Sequence, residues 1–211
     1  MGDGCGSILA KVIGVVSGLI AIFVFIFGLN NIGEIKEWFG KNINHEEAPL
    51  YQADGLVWSI AIDDSHRFET RYLVNEDVED FIAEVVVEFN DNIDEYHGLF
   101  FRANTDKNFY SFRVRPNGEY AFHYWEPGDE GATPNLLLGP AIATSMNTGS
   151  GARNTLRVEA NGPVFTLYIN GQTVGTVTDT ALTKGEIGLM GCTCDGNTSA
   201  SASFYDARIS K

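Results

Sequence analysis

Beyond a polar linker at His45 to Pro49, the chain alternates apolar and polar residues with the two-residue period of a β-strand, and few stretches show a helical period. Phe81 to Phe89 is a β-branched and aromatic run that ends in the turn-rich Asn90-Asp91-Asn92, which predicts a strand. Gly98 to Ala103, Asn108 to Arg115 and Glu119 to Trp125 predict a meander. Its second turn, Pro116-Asn117-Gly118, contains the Asn-Gly pair that tolerates positive φ. Thr155 to Ala160, Val164 to Asn170 and Thr173 to Val177 follow, joined through Asn161-Gly162-Pro163 and Asn170-Gly171. Glu186 to Cys192 and Ser203 to Ile209 complete the pattern. Roughly ten to twelve strands at this spacing predict an all-β, antiparallel two-sheet sandwich.

One segment breaks the alternation. Val12 to Leu29 is eighteen residues without a charge, about the length of helix that crosses a bilayer core. No Ala-x-Ala exit site follows it, so we read it as a retained signal anchor, one N-terminal transmembrane α-helix. Cys5 precedes the run, unlike the cysteine of a lipoprotein signal, and Gly6 stands where a myristoylation site has Ser or Thr. Ala10, Gly14 and Gly18 recur every four residues and would let helix backbones approach, so they are the expected helix-packing positions. Glu34 to Phe39 forms a short amphipathic stretch with the Trp38-Phe39 pair at interfacial depth.

Charge divides the chain in the same place. Lys11, Lys36 and Lys41 balance Asp3, Glu34 and Glu37, so the formal net charge of −14 falls entirely on the residues after 41. Such a body opposes nucleic-acid binding, which needs Lys and Arg to neutralise phosphates, and is repelled by anionic headgroups. The expected organisation is an anchor over residues 1–33, a juxtamembrane segment and linker over 34–51, and a β-sandwich over 52–211.

His97-Gly98-Leu99-Phe100-Phe101-Arg102, Asn108 to Val114 and Asn117-Gly118-Glu119-Tyr120 carry a resemblance, as do Asn154 to Val158 and Phe165 to Gly171. Asp179, Gly185-Glu186-Ile187-Gly188-Leu189 and Phe204-Tyr205-Asp206 complete it in order. This succession resembles the concanavalin A-like lectin/glucanase superfamily, nearest its laminin G-like and 3-keto-disaccharide hydrolase-like branch of bacterial extracytoplasmic proteins. The resemblance implies a jelly roll held outside the cytoplasm, at a cell surface or in a periplasm, and places no activity on it by fold alone.

A glycosidase needs two carboxylates about 5 to 9.5 Å apart. Glu84 and Glu88 share a strand face at roughly 13 Å, and the compact Glu-x-Asp-x-x-Glu cluster of laminarinase-type relatives is missing, so they read as solvated charges. His45, His66, His97 and His123 have no Gly-x-Ser-x-Gly elbow beside them. No metal set is formed by the sulfurs of Cys5, Cys192 and Cys194. Calcium at Asp91 to Glu95 or Asp129-Glu130 is what the resemblance allows. Cys192-Thr193-Cys194 is compatible with a strained small-ring disulfide or with two reduced buried thiols, and no redox role is assigned to it. Asn197-Thr198-Ser199 is a glycosylation sequon.

The strongest candidate site comes from strand faces. Tyr110, Phe112 and Val114, with Tyr120, Phe122 and Tyr124, form a core face. The opposite face collects Arg113, His123 and Trp125, with Arg102 expected to adjoin. Planar donors beside an aromatic platform suit a sugar ring. The same residues also suit cross-strand cation–π pairing on a partly covered sheet. The expected function is a non-catalytic, membrane-anchored module for glycan binding, adhesion or surface assembly, with membrane lipid and a glycan or cell-surface protein as partners. Two alternatives stand beside it: a structural subunit that forms homo-oligomers or membrane complexes through its helix, and a sugar hydrolase of the keto-disaccharide type.

Overall fold

The computed structural model describes residues 48–65, 67–126 and 134–211. The expected anchor, its packing positions Ala10, Gly14 and Gly18, and most of the linker lie outside the described residues, as do His66 and Asp129-Glu130. Among the described residues no helix is long and apolar enough to cross a membrane.

Among the described residues, twelve antiparallel strands form two six-stranded sheets. Sheet A runs in the order β1 (Tyr51–Ile62), β12 (Ala200–Ser210), β3 (Phe81–Phe89), β8 (Arg153–Asn161), β9 (Val164–Ile169), β10 (Gln172–Thr178). Sheet B runs β2 (Phe68–Val78), β11 (Gly185–Cys192), β4 (His97–Ala103), β5 (Phe109–Val114), β6 (Glu119–Trp125), β7 (Asn135–Ile142). Hairpins build β4 to β7 and β8 to β10, and every other connection crosses between the sheets, so the core is sewn from both sides. Turn chemistry sets the hairpins. Asn170 and Gly171 both take positive φ (51° and 77°) between the paired Ile169 and Gln172, as a type I′ turn requires.

Alternating residues enter the space between the sheets. Ala83, Val85, Val87 and Phe89 of β3 are wholly buried and face Phe101, Tyr110, Phe112 and Phe122 of sheet B in one apolar cluster. Sheet A then turns a polar face to water, where Glu88 pairs with Arg153 (2.6 Å) and Glu84 with Arg157 (3.6 Å). These are the solvated charges the strand spacing predicts.

Sheet B behaves differently. β4 is buried at all seven positions, and β5 and β11 are nearly so, where a sheet with one wet face would alternate. Its outer face is therefore covered by its own side chains.

Candidate functional site

The cover is aromatic and the face is concave. Phe68 on β2 and Trp125 on β6 are separated by β11, β4 and β5, roughly 19 Å across a flat sheet. Their ring centroids are nonetheless 4.8 Å apart, edge to face. The sheet curls until opposite corners meet.

One row of the ladder crosses all six strands of this face: Tyr72, Gly188, Phe100, Ser111, His123, Leu136. Tyr72 and Leu136 stand at its two rims, each 46% exposed. Ring contacts run from Tyr72 to Phe100 (5.0 Å), Phe100 to Phe109 (6.0 Å) and Phe109 to Trp125 (5.7 Å, nearly parallel). Gly188 makes room for this floor, since a Cβ there would fall 2.5 Å from the Phe100 ring.

Beneath the floor sits a buried cation. Arg113 is 2% exposed, with its guanidinium 4.7 Å from the Tyr96 ring centroid and 5.0 Å from that of Trp125. Its Nη2 donates to His123 Nδ1 (3.1 Å), and its Nη1 donates to Cys192 Sγ (3.3 Å) and more weakly to Cys194 Sγ (3.9 Å). An arginine accepts nothing, so Nδ1 of His123 is the acceptor and the ring proton sits on Nε2. Burial, and then the neighbouring Arg113 charge, push His123 down to about 3, which keeps it neutral. Burial is also the main cause that lowers Arg113, to about 10. Trp125 Nε1 donates to the buried Ser111 Oγ (2.8 Å).

A polar rim fixes the Cys192 end of this cluster. Tyr96 OH donates to Glu119 (2.5 Å), and Arg115 bridges Glu119 and Asp195, each at 2.8 Å. Burial, helped by the bond to Glu119, raises Tyr96 to about 12. The buried carboxylate of Glu95 accepts from the main-chain N–H groups of Cys194, Asp195 and Asn197 and from Asn197 Nδ2. Thr193 accepts from Arg67 N and donates to the carbonyl of Asp64, tying this loop to the connection that carries Phe68.

Of the four predicted ligand residues, the structure brings together Arg113, His123 and Trp125 and removes Arg102. The register slips between Glu186 and Gly188 opposite β4, and Arg102 takes a φ of 51°. Its side chain therefore leaves the outer face, lies 4.8 Å over the core ring of Phe165, and donates to the carbonyls of Leu182, Glu79 and Gly162. Arg102 pins loops together. Trp125 is only 7% exposed, and the large apolar side chains this face leaves open to solvent are ones that strand alternation on β5 and β6 does not reach: Phe68, Tyr72 and Leu136. The alternation Phe68, Thr70, Tyr72 was the available signal, because it sets two aromatic residues on one face of β2.

Other candidates resolve as structure. Cys192 and Cys194 form a disulfide. Asp91 accepts from Ile93 N and Ser201 Oγ, so the turn proposed for calcium spends these oxygens on its own hydrogen bonds. No cluster of metal-binding side chains occurs among the described residues. Two clefts of about 510 Å³ open elsewhere; one is lined by uncharged residues including Tyr120, Thr144 and Gln172, and in the other Lys184 pairs with Asp77.

No protein-family model and no curated protein matches this chain by sequence. Solved structures do resemble it. A carbohydrate-binding module from Bacillus subtilis, CBM66, is similar at 18% identity and a TM-score of 0.56, over 75% of this chain and 99% of that one. LamAcat from Zobellia galactanivorans is similar at 11% identity and a TM-score of 0.51, over 72% and 76%. A LamA variant in complex with laminaritriose and laminaritetraose is similar at 11% identity and a TM-score of 0.50, over 72% and 77%. At these identities the likeness is one of fold: the described residues form an all-β, two-sheet antiparallel jelly-roll sandwich.

Proposed function

We propose that this chain is a non-catalytic glycan-binding module, displayed outside the cytoplasm by the apolar run 12–29, with the concave face of sheet B as its ligand surface. The observation that carries this reading is the continuous row of rings from Tyr72 through Phe100 and Phe109 to Trp125, capped by Phe68. Sugar C–H faces stack on the exposed rings of Tyr72 and Phe68, which the buried Phe100 and Trp125 rings support from behind, and sugar hydroxyls pair with the Tyr72 hydroxyl, the Thr70 hydroxyl and the Nε2–H of half-buried His123. All three are uncharged at neutral pH, which suits a neutral saccharide. The carboxylates around the Arg113 cluster support a non-catalytic reading there, since Glu119 and Asp195 are held by Arg115 and Glu95 by main-chain N–H groups.

Calorimetric titration with laminari-oligosaccharides, the ligands of one similar structure, followed by a broad glycan array, tests the proposal. Tyr72→Ala and Phe68→Ala should weaken binding by about tenfold or more, the worth of one stacked ring pair at 1.4 kcal/mol. A blank array for the intact protein, or unchanged binding by both variants, rejects it. Carboxylate-dependent turnover of laminarin would replace it with the hydrolase reading. The anchor is tested separately: the full chain should leave membranes with detergent and resist alkaline carbonate.

A further inference from the structure

Arg113 is a buried cation to which no carboxylate is bound directly among the described residues; Asp195 and Glu95 act on it only through space. Its bonded partners are neutral His123 and the two sulfurs, and its Nε is unpaired. Burying a charge is expensive unless an anion meets it. The atom placed to become that anion is Cys192 Sγ, fully buried at 3.3 Å. Cys194, by contrast, is only partly buried.

The disulfide joins residues two apart. Closing so short a loop removes little chain entropy, less than the about 3 kcal/mol of a 15-residue loop, so stability is a weak reason for the bond. The backbone on either side is held without it. Cys192 N donates to Tyr96 O (3.1 Å), Thr193 N donates to Arg67 O (3.0 Å), and Cys194 N donates to Glu95 (2.8 Å). Opening the bond therefore leaves both sulfurs beside the guanidinium.

We propose that Cys192 and Cys194 are a dithiol–disulfide redox site, exchanging with an external dithiol, in which Arg113 holds the Cys192 thiolate. A thiolate of the dithiol attacks Sγ of Cys194, the less buried of the two cysteines. The Cys192–Cys194 bond breaks, and its electron pair stays on Cys192 as a thiolate paired with Arg113. The reagent's second thiol, losing its proton, attacks its own sulfur in the mixed disulfide, forms the reagent's internal disulfide and releases the Cys194 sulfur, which takes up a proton. The chain gains two electrons and the dithiol loses them; of its two protons one ends on Cys194 and one in solvent. Stabilising the leaving thiolate both speeds the first step and favours the reduced pair.

The test uses the full chain carrying Cys5→Ser, so that only this pair reports, with dithiothreitol as the probe. Ultraviolet thiolate absorbance of the reduced protein against pH should show one sulfur ionising at least about one unit below the ordinary 8.5. Arg113→Gln should raise that value by a similar amount and, at pH 8.5 where the Cys192 thiolate is largely formed in the parent, shift the dithiothreitol equilibrium toward the disulfide by about fivefold. Arg113→Lys should retain part of the effect. If Arg113→Gln fails to fold, single-cysteine variants decide. The low value must persist in Cys194→Ser and vanish in Cys192→Ser. Both sulfurs ionising near 8.5, a low value that belongs to Cys194, an unchanged value in a folded Arg113→Gln, or a bond that dithiothreitol leaves closed in the folded protein overturns the proposal. None of these outcomes depends on a saccharide.

Discussion

His97 lies wholly buried against Ile60 and Gly191, and neither ring nitrogen has a hydrogen-bond partner. Burial dominates its titration and lowers it from 6.5 to about 4; Asp91 opposes that shift, and a smaller contribution from Arg113 adds to it. Above pH 6.5 the ring is neutral folded or unfolded. As pH falls from 6.5 to about 4 the unfolded chain takes up a proton the folded chain refuses, so stability drops by up to about 1.4 kcal/mol per unit, on the order of 3 kcal/mol in all. His123 acts in the same direction, down to about 3. Urea unfolding at pH 7.5 and 4.5 should therefore show a marked loss at the lower pH that His97→Leu reduces; equal losses in parent and variant would refute this account. Arg102 gives a second expectation. Removing it in Arg102→Ala orphans three carbonyls at the end of the sandwich and should destabilise by roughly 3 kcal/mol or more in thermal or urea unfolding. Strand alternation correctly grouped Arg113, His123 and Trp125, because β5 and β6 pair without a slip. It misplaced Arg102, because the rule holds only while φ stays extended, and there it does not.

The strands differ by which faces they bury. β3 alternates strictly, and its pattern was readable along the chain. β2 was not, since it is an edge strand with large residues exposed and two register slips against β11. Its role as the rim of the concave face emerges only when Tyr72 meets Phe100. Gly188 is the element-level test. Gly188→Ala sets a methyl against the Phe100 ring and the Arg71 carbonyl, an overpacking expected to cost about 1–3 kcal/mol. It should tilt Phe100 and Tyr72 together, lowering both the unfolding midpoint and saccharide binding. Loss of neither would show that β2 adjusts freely. The hairpins were more legible than the strands they join, because Asn170-Gly171 states its positive φ in residue type alone.

Across the molecule the two sheets divide the work. The outer face of sheet A carries cross-strand ion pairs open to water, where solvent screening leaves little net stabilisation. Glu84→Gln and Glu88→Gln should therefore change stability only slightly and leave saccharide binding unchanged, as measured by unfolding and calorimetry. A loss of binding would move the ligand surface to sheet A. The residue order alone establishes an acidic, strand-alternating body behind a neutral apolar run, because period, charge and turn residues are local properties that need no partner. It also establishes that Arg113, His123 and Trp125 share a face. What folding decides is what that face meets. Curling of sheet B brings Phe68 onto Trp125, closes the aromatic floor over Arg113, and sets the Cys192 sulfur against a buried cation. Those contacts join strands far apart in the chain, and their distances depend on sheet curvature, a collective property that no local pattern encodes.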